Sequence, residues 1–225
     1  MADFNLLEMA WKVASLWPAL LLALCFHEYA HGFVAKLKGD NTAEMMGRLT
    51  MNPMAHMDIV GTVALPILAI ASQWGFLFGW AKPVPVNPRN LRRPKEDMFW
   101  IALAGPLSNV LLAFVGALAL FLLLMSHSDA PAVRAGIEVV NTFIYLNFIL
   151  AVFNLLPFHP LDGGKVIARF LPPAANQFLE DQQQILQVGL ILMFVLGGFR
   201  YLAVPIHWLY SSVVNVVIHL VMTVS

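Results

Sequence analysis

The stretch LLALCFHEYAHGFVAKL (Leu21–Leu37) is an apolar run broken by His27, Glu28 and His31. Without those three residues it would read as a plain membrane-crossing helix. Ionisable groups at bilayer depth are expensive, about 2.5–3.5 kcal/mol each on insertion scales. Three of them so close together need a compensating partner. Residues at i and i+4 lie on one helix face, so His27 and His31 can offer two imidazoles to one metal ion. In an H-E-x-x-H pattern the intervening Glu28 has the place of a general base. A lone intramembrane histidine would read as a satisfied core residue; the spaced pair with a carboxylate reads as a metal site.

The rest of the chain supports a membrane setting. Of 225 residues, 60% are hydrophobic and 12% charged. The charged share is about half that of ordinary soluble domains. Mean hydropathy is +0.74. The formal net charge is zero, which speaks against a nucleic-acid partner. The single cysteine, Cys25, excludes an intramolecular disulfide and a cysteine-based metal cluster. The first ten residues carry Asp3 and Glu8 but no Lys or Arg, so they do not read as a secretory signal.

Hydropathy and breakers predict an all-α integral membrane protein with about five to six transmembrane helices. The expected segments are 13–36, 59–79, 97–126, 134–156, 185–199 and 205–223. Between them, 42–58 reads as a hairpin or re-entrant loop, broken by Gly47 and Pro53. Four prolines between 83 and 94 make GWAKPVPVNPRNLRRPK extended rather than helical. Extended backbone at membrane depth must be buried in protein or line a wet cavity. The expectation is therefore that 42–58 and 80–88 pair as a small β-hairpin-like sheet beside a hydrated site. Residues 1–225 read as a single membrane-embedded domain, with a core at about 13–171 and C-terminal helices at about 185–223. Running the first helix from outside to inside puts ten of the thirteen Lys and Arg residues on the cytoplasmic side.

Two histidines do not complete a catalytic zinc site, which generally has three protein ligands and a water. The outstanding third candidate is Asp162, in NLLPFHPLDGGKV (154–166), at the end of a helix expected to return to the same side. Gly163 and Gly164 allow a sharp turn there. An Asp before Gly-Gly would otherwise read as a turn residue.

Together these residues resemble the site-2 protease family of intramembrane zinc metalloproteases. The resemblance rests on His27-Glu28-Tyr29-Ala30-His31, on Asn154-Leu-Leu-Pro157 followed by Leu161-Asp162-Gly163, and on three further segments: GWAKPVPVNP (79–88), AGPLSN (104–109) and NPMAHMDIVGT (52–62). It covers nearly the whole chain and is closest to the compact prokaryotic form, without a PDZ or CBS domain. It implies one Zn2+, held by His27, His31 and Asp162, with Glu28 as catalytic base. It implies that Asn154 holds substrate or the developing oxyanion, and that Gly105 and Asn109 form a GxxxN pattern on the neighbouring helix. His159 stands where such sequences often carry Pro; a supporting or loop role is expected, and competition for metal is the alternative. His56 is a further candidate near the site, with satisfaction of the re-entrant loop as the plainer reading. The resemblance further implies a transmembrane protein substrate, a multi-pass location in the cell membrane and a site open to the cytoplasmic side. A divalent-metal transporter is the rival reading, in which Glu28 would be a ligand along a path; yet a path needs a series of sites and the sequence shows one cluster plus Asp162. A catalytically dead relative would be expected to lack one of the four key residues.

Overall fold

The computed structural model describes residues 6–71 and 79–224, and its regular elements are all helices. In chain order they are α1 (Leu6–Leu37), α2 (Thr42–Met45), α3 (Pro53–His56), a π-helical turn Ile59–Ala64 running into α4 (Leu65–Ala71), a 3-10 turn at Pro88–Asn90, α5 (Pro94–Met125), α6 (Pro131–Asn154), α7 (Asp162–Ala168), α8 (Pro173–Asp181), α9 (Gln183–Val195), a 3-10 turn at Gly198–Tyr201, and α10 (Ala203–Val224).

The all-α membrane architecture is as expected. Four helices are long and apolar enough to cross a bilayer: Ala10–Leu37 within α1, then α5, α6 and α10. Among the described residues, the five to six expected crossings correspond to these four and two shorter apolar helices. One is Ile59–Ala71; the other is α9, at 13 residues. At 1.5 Å per residue the described part of each reaches about 20 Å, against roughly 30 Å of hydrocarbon. Residues 72–78, the end of the expected second apolar segment, lie outside the described residues.

The expected small sheet is corrected. Among the described residues no strand forms. The 42–58 segment instead spends its backbone groups on α2 and α3, with Asn52 capping the Met54 amide at 3.1 Å. Pro83 and Pro85 have no amide hydrogen to give to a ladder. What remains of the pairing is one main-chain bond, Lys82 N–H to the His56 carbonyl at 2.8 Å. Residues 80–88 form a strap laid across α1.

Lipid is as apolar as leucine, so helix association in a membrane relies on close packing and hydrogen bonds across helices. Gly116 on α5 shows the first: a Cβ there would stand 2.7 Å from Ile144 Cγ1 on α6. Around this contact Ala113, Ala117, Leu120, Ile144 and Phe148 bury with Ile206 and Val217 of α10. Tyr210 shows the second, donating to Asn141 Oδ1 across α10 and α6 at 2.8 Å. A separate cluster joins Leu20, Ala23 and Leu24 of α1 to Leu146 and Leu150 of α6, with Ala81 of the strap packed among them. So α1, α5 and α6 enclose a common space, and the strap lies over one side of α1.

Charges mark the two ends. At one end Lys38 pairs with buried Asp97 at 3.5 Å, and Arg169 reaches Glu96 at 3.6 Å. At the other, the Trp11 indole donates to Glu138 at 3.2 Å. The H-E-x-x-H turn stands nearer the first end.

Candidate metal centre

His27 and His31 project from one face of α1 towards α5 and α7. Both are buried, at 4% and 9% exposure. Their Nε2 atoms converge on Asp162 Oδ2, at 3.0 Å and 3.2 Å. These three are the described residues whose ligand atoms gather closely enough to hold a metal ion. Ligands about 2.0–2.2 Å from a tetrahedral ion stand about 3.3–3.5 Å apart, so the two observed separations are close to the edges of a zinc tetrahedron.

The outer nitrogens are committed. His31 Nδ1 lies 2.6 Å from the Ile101 carbonyl, which can only accept, so Nδ1 carries the hydrogen. His27 Nδ1 lies 2.6 Å from Asn109 Oδ1. The orientation of that amide is fixed by its other end, because Asn109 Nδ2 donates to the Ala23 carbonyl at 3.2 Å and to Asn147 Oδ1 at 3.0 Å. Hence both rings carry their proton on Nδ1 and turn a lone pair on Nε2 towards Asp162. That is the tautomer a metal requires, held by outer partners of the kind that orient metal-binding histidines. The donor set of two imidazoles and a carboxylate suits zinc.

Local sequence explains each placement. The GxxxN pair sits one turn apart on α5. Gly105 lies under the rings: a Cβ there would be 2.5 Å from His31 Cε1 and 2.6 Å from His27 Cε1. Asn109, fully buried, then catches His27. Gly163 lets the 155–161 turn fold onto the start of α7, since a Cβ would overlap the Leu156 carbonyl. Asp162 thereby opens α7 with its carboxylate facing α1.

The remaining expected residues are placed as follows. Glu28 is half-buried, and its Oε2 accepts the Val84 amide hydrogen at 2.7 Å. Asn154, the last residue of α6, donates to its own helix at the Leu150 carbonyl, 2.9 Å away. His56, 2% exposed, donates from Nε2 to the Thr50 carbonyl at 2.8 Å within the 42–58 loop. His159, 8% exposed, is held against Gly164 and stays outside the three-residue cluster. Its burial lowers its pKa, and its Nε2 has no hydrogen-bond partner.

Sequence reading missed two contributors. Asn147 extends the His27–Asn109 chain and donates to the Phe143 carbonyl at 2.9 Å. Its signal was available: an Asn within an apolar membrane helix is costly unless it bonds. The Ile101 carbonyl left no signal, being backbone. It lies in the turn of α5 just before Gly105-Pro106.

Comparison with known proteins follows the same lines. The chain is 35% identical over 196 residues to a Bacillus subtilis (strain 168) protein named "Putative zinc metalloprotease YwhC", covering 82% of this chain and 84% of the relative. The model of Peptidase family M50 matches residues 122–196.

The chain belongs to peptidase family M50.

Other relatives agree with that membership. "Putative zinc metalloprotease Rip2" of Mycobacterium tuberculosis (strain ATCC 25618 / H37Rv) is 31% identical over 195 residues, 85% of this chain and 71% of the relative. "Zinc metalloprotease MJ0392" of Methanocaldococcus jannaschii is 24% identical over 193 residues, 86% of this chain and 44% of the relative. No solved structure matches at a significant level. As an M50 chain this is a zinc metalloprotease, a hydrolase, and with four spanning-length apolar helices it is a multi-pass membrane protein.

Proposed function

We propose that this M50 protease hydrolyses a peptide bond within or near a transmembrane segment of a membrane protein, using one zinc held by His27, His31 and Asp162. The observation that carries the reading is the convergence of both Nε2 atoms on Asp162 Oδ2, each ring already in the metal-binding tautomer.

Zinc, when bound, supplies a Lewis acid that lowers the pKa of a coordinated water towards about 7 and polarises the scissile carbonyl. The chain's own groups do the rest. Glu28, next to His27, takes the proton from the attacking water and passes it to the leaving amine nitrogen. Asn154, released from the Leu150 carbonyl, donates a hydrogen bond to the tetrahedral oxyanion. Gly105 and Asn109 keep the two rings in place. His56 braces the 42–58 loop and His159 the turn that carries Asp162.

The location follows from charge. Lys38, Arg48, Lys82, Lys95, Lys165 and Arg169 gather around the end nearer the H-E-x-x-H turn, while Lys12 and Arg134 lie towards the other. The positive-inside tendency then turns the site towards the cytoplasm, in a chain that sits in the cell membrane. In this reading residues 1–225 act as one membrane-embedded unit, with α10 packed on α5 and α6.

The test is zinc per chain, by elemental analysis, on wild type, Glu28→Gln and Asp162→Ala, paired with cleavage of a reconstituted transmembrane substrate. The expected result is about one zinc in wild type and Glu28→Gln, weakened binding in Asp162→Ala, and cleavage lost in both variants. Zinc lost with Glu28→Gln but kept with Asp162→Ala would make Glu28 a ligand and bring the transporter reading forward.

A further inference from the structure

The strap at residues 80–86 is tied down along one edge. Trp80 N–H reaches the Gly61 carbonyl at 3.2 Å, and the Thr62 hydroxyl donates to the Trp80 carbonyl at 2.8 Å. Lys82 N–H reaches the His56 carbonyl at 2.8 Å, and Arg48 Nη2 donates to the Lys82 carbonyl at 2.7 Å. Val84 N–H reaches Glu28 Oε2 at 2.7 Å. Residues 80, 82 and 84 alternate, so they share one side of an extended segment. The opposite side presents 81, 83 and 85, and two of these are proline. That edge has few donors to offer an incoming peptide, which argues against a substrate strand pairing there.

The same prolines fix the register on the inner side. Val84 stands between Pro83 and Pro85, so it has the one amide hydrogen in that tripeptide. A slip by one residue either way would face the Glu28 carboxylate with a proline nitrogen that cannot donate. Gly32 completes the seat. It lies at i+4 from Glu28 and so on the same α1 face, and a Cβ there would be 2.9 Å from Val84 Cγ1. The face that carries Glu28 and Gly32 is one residue round from the face that carries His27 and His31.

We propose that the Val84 main-chain amide is the positioning group for Glu28: the proline-locked strap holds one oxygen of the catalytic carboxylate so that the other is aimed at the attacking water. This rests on the assignment of Glu28 as base given above. Val84 touches no reacting atom; it acts through Glu28.

The test compares Val84→Pro with Val84→Ala in the full-length protein. Val84→Ala removes the γ-methyl contact with α1 but keeps the amide hydrogen, whereas Val84→Pro deletes that hydrogen, within a Pro-X-Pro run that already favours the extended backbone. Relative to Val84→Ala, Val84→Pro is expected to lower kcat by about 10- to 100-fold, the scale of a misplaced catalytic group. KM should stay within about twofold and zinc at the wild-type level, a split that general unfolding would not give. A second readout needs no activity. Between Pro83 and Val86 only Val84 and Val86 have exchangeable amides. In wild type one of them should exchange slowly, and Glu28→Ala should speed it at least about tenfold. Equal kcat in the two Val84 variants, a faster Val84→Pro enzyme (which would make the strap an inhibitory latch), or exchange indifferent to Glu28→Ala would each overturn the proposal. If Glu28→Gln still cleaves, it is the assignment of the base that fails, and the exchange result still reports whether the amide holds that carboxylate.

Discussion

Asn109 Oδ1 sits 2.6 Å from His27 Nδ1, and the remainder of its amide is spent on Ala23 and Asn147. One side chain thus sets the tautomer of a metal-facing ring and ties three helices together. Replacing Asn109 with Leu removes the acceptor and leaves Asn147 without its donor. Zinc affinity should fall about 10- to 100-fold, as for other outer partners of metal histidines. Competition with a calibrated chelator measures it. Asn147→Leu alone should have a smaller effect, because Asn109 keeps its bond to the Ala23 carbonyl.

Gly105→Ala should be more damaging than its size suggests. The added methyl enters the space of both imidazoles, and the helix backbone beneath cannot yield as a flexible side chain would. Zinc per chain should drop well below one while thermal stability in detergent falls by less than the chelator-stripped wild type loses. Full zinc loading in Gly105→Ala would show that the two imidazoles keep their place beside an added methyl.

Two other glycines give a graded contrast. At Gly163 an added Cβ meets the Leu156 main-chain carbonyl, which is fixed by the turn. At Gly32 it meets Val84 Cγ1, the end of a side chain on the strap. Gly163→Ala should therefore displace Asp162 and weaken zinc binding. Gly32→Ala should leave zinc in place and lower turnover by lifting the strap. Zinc content and kcat, measured side by side, separate the two.

Asp40 makes a prediction about acid. It is fully buried and accepts the amide hydrogens of Asn87 at 2.6 Å and Thr42 at 3.1 Å, and the Asn90 side chain at 2.9 Å. Burial alone would push its carboxyl up; the Thr42 hydroxyl, Asn87 amide, Asn90 side chain and Thr42 amide outweigh that and hold it below the ordinary range. A depressed folded value means the stabilisation is present above the unfolded pKa of about 3.9 and is lost as pH falls through the lower folded value. Thermal unfolding should therefore show wild type losing stability below about pH 4. Asp40→Asn should be less stable at pH 7, by about 1–3 kcal/mol for the bonds it cannot keep, and flatter across the acid range.

The site was legible where polarity contradicts its surroundings. His27, Glu28 and His31 stand out because lipid-depth ionisable groups demand a reason, and Asp162 stands out because two ligands demand a third. The four long helices follow from apolar length alone. The strap was half legible: its prolines ruled out a helix, but the same missing amides that ruled out the helix also ruled out the expected sheet. The Ile101 carbonyl was not legible at all, because a main-chain acceptor leaves no mark in composition. Nor did spacing reveal that Glu28 faces a different partner from the histidines beside it. That follows from a 100° step between adjacent helix positions only once the strap's path is known.

The donors of the centre come from widely separated parts of the chain, His27 and His31 on α1 and Asp162 at the start of α7. During synthesis the histidine pair enters the membrane long before its carboxylate exists, and the turn bearing Asp162 can close only after α5 and α6 have been threaded through. A nascent chain that has not yet reached Asp162 lacks the full set of donors. A newly made copy therefore acquires its full metal-binding set only once α5 and α6, which lie between the donors in sequence, are in place.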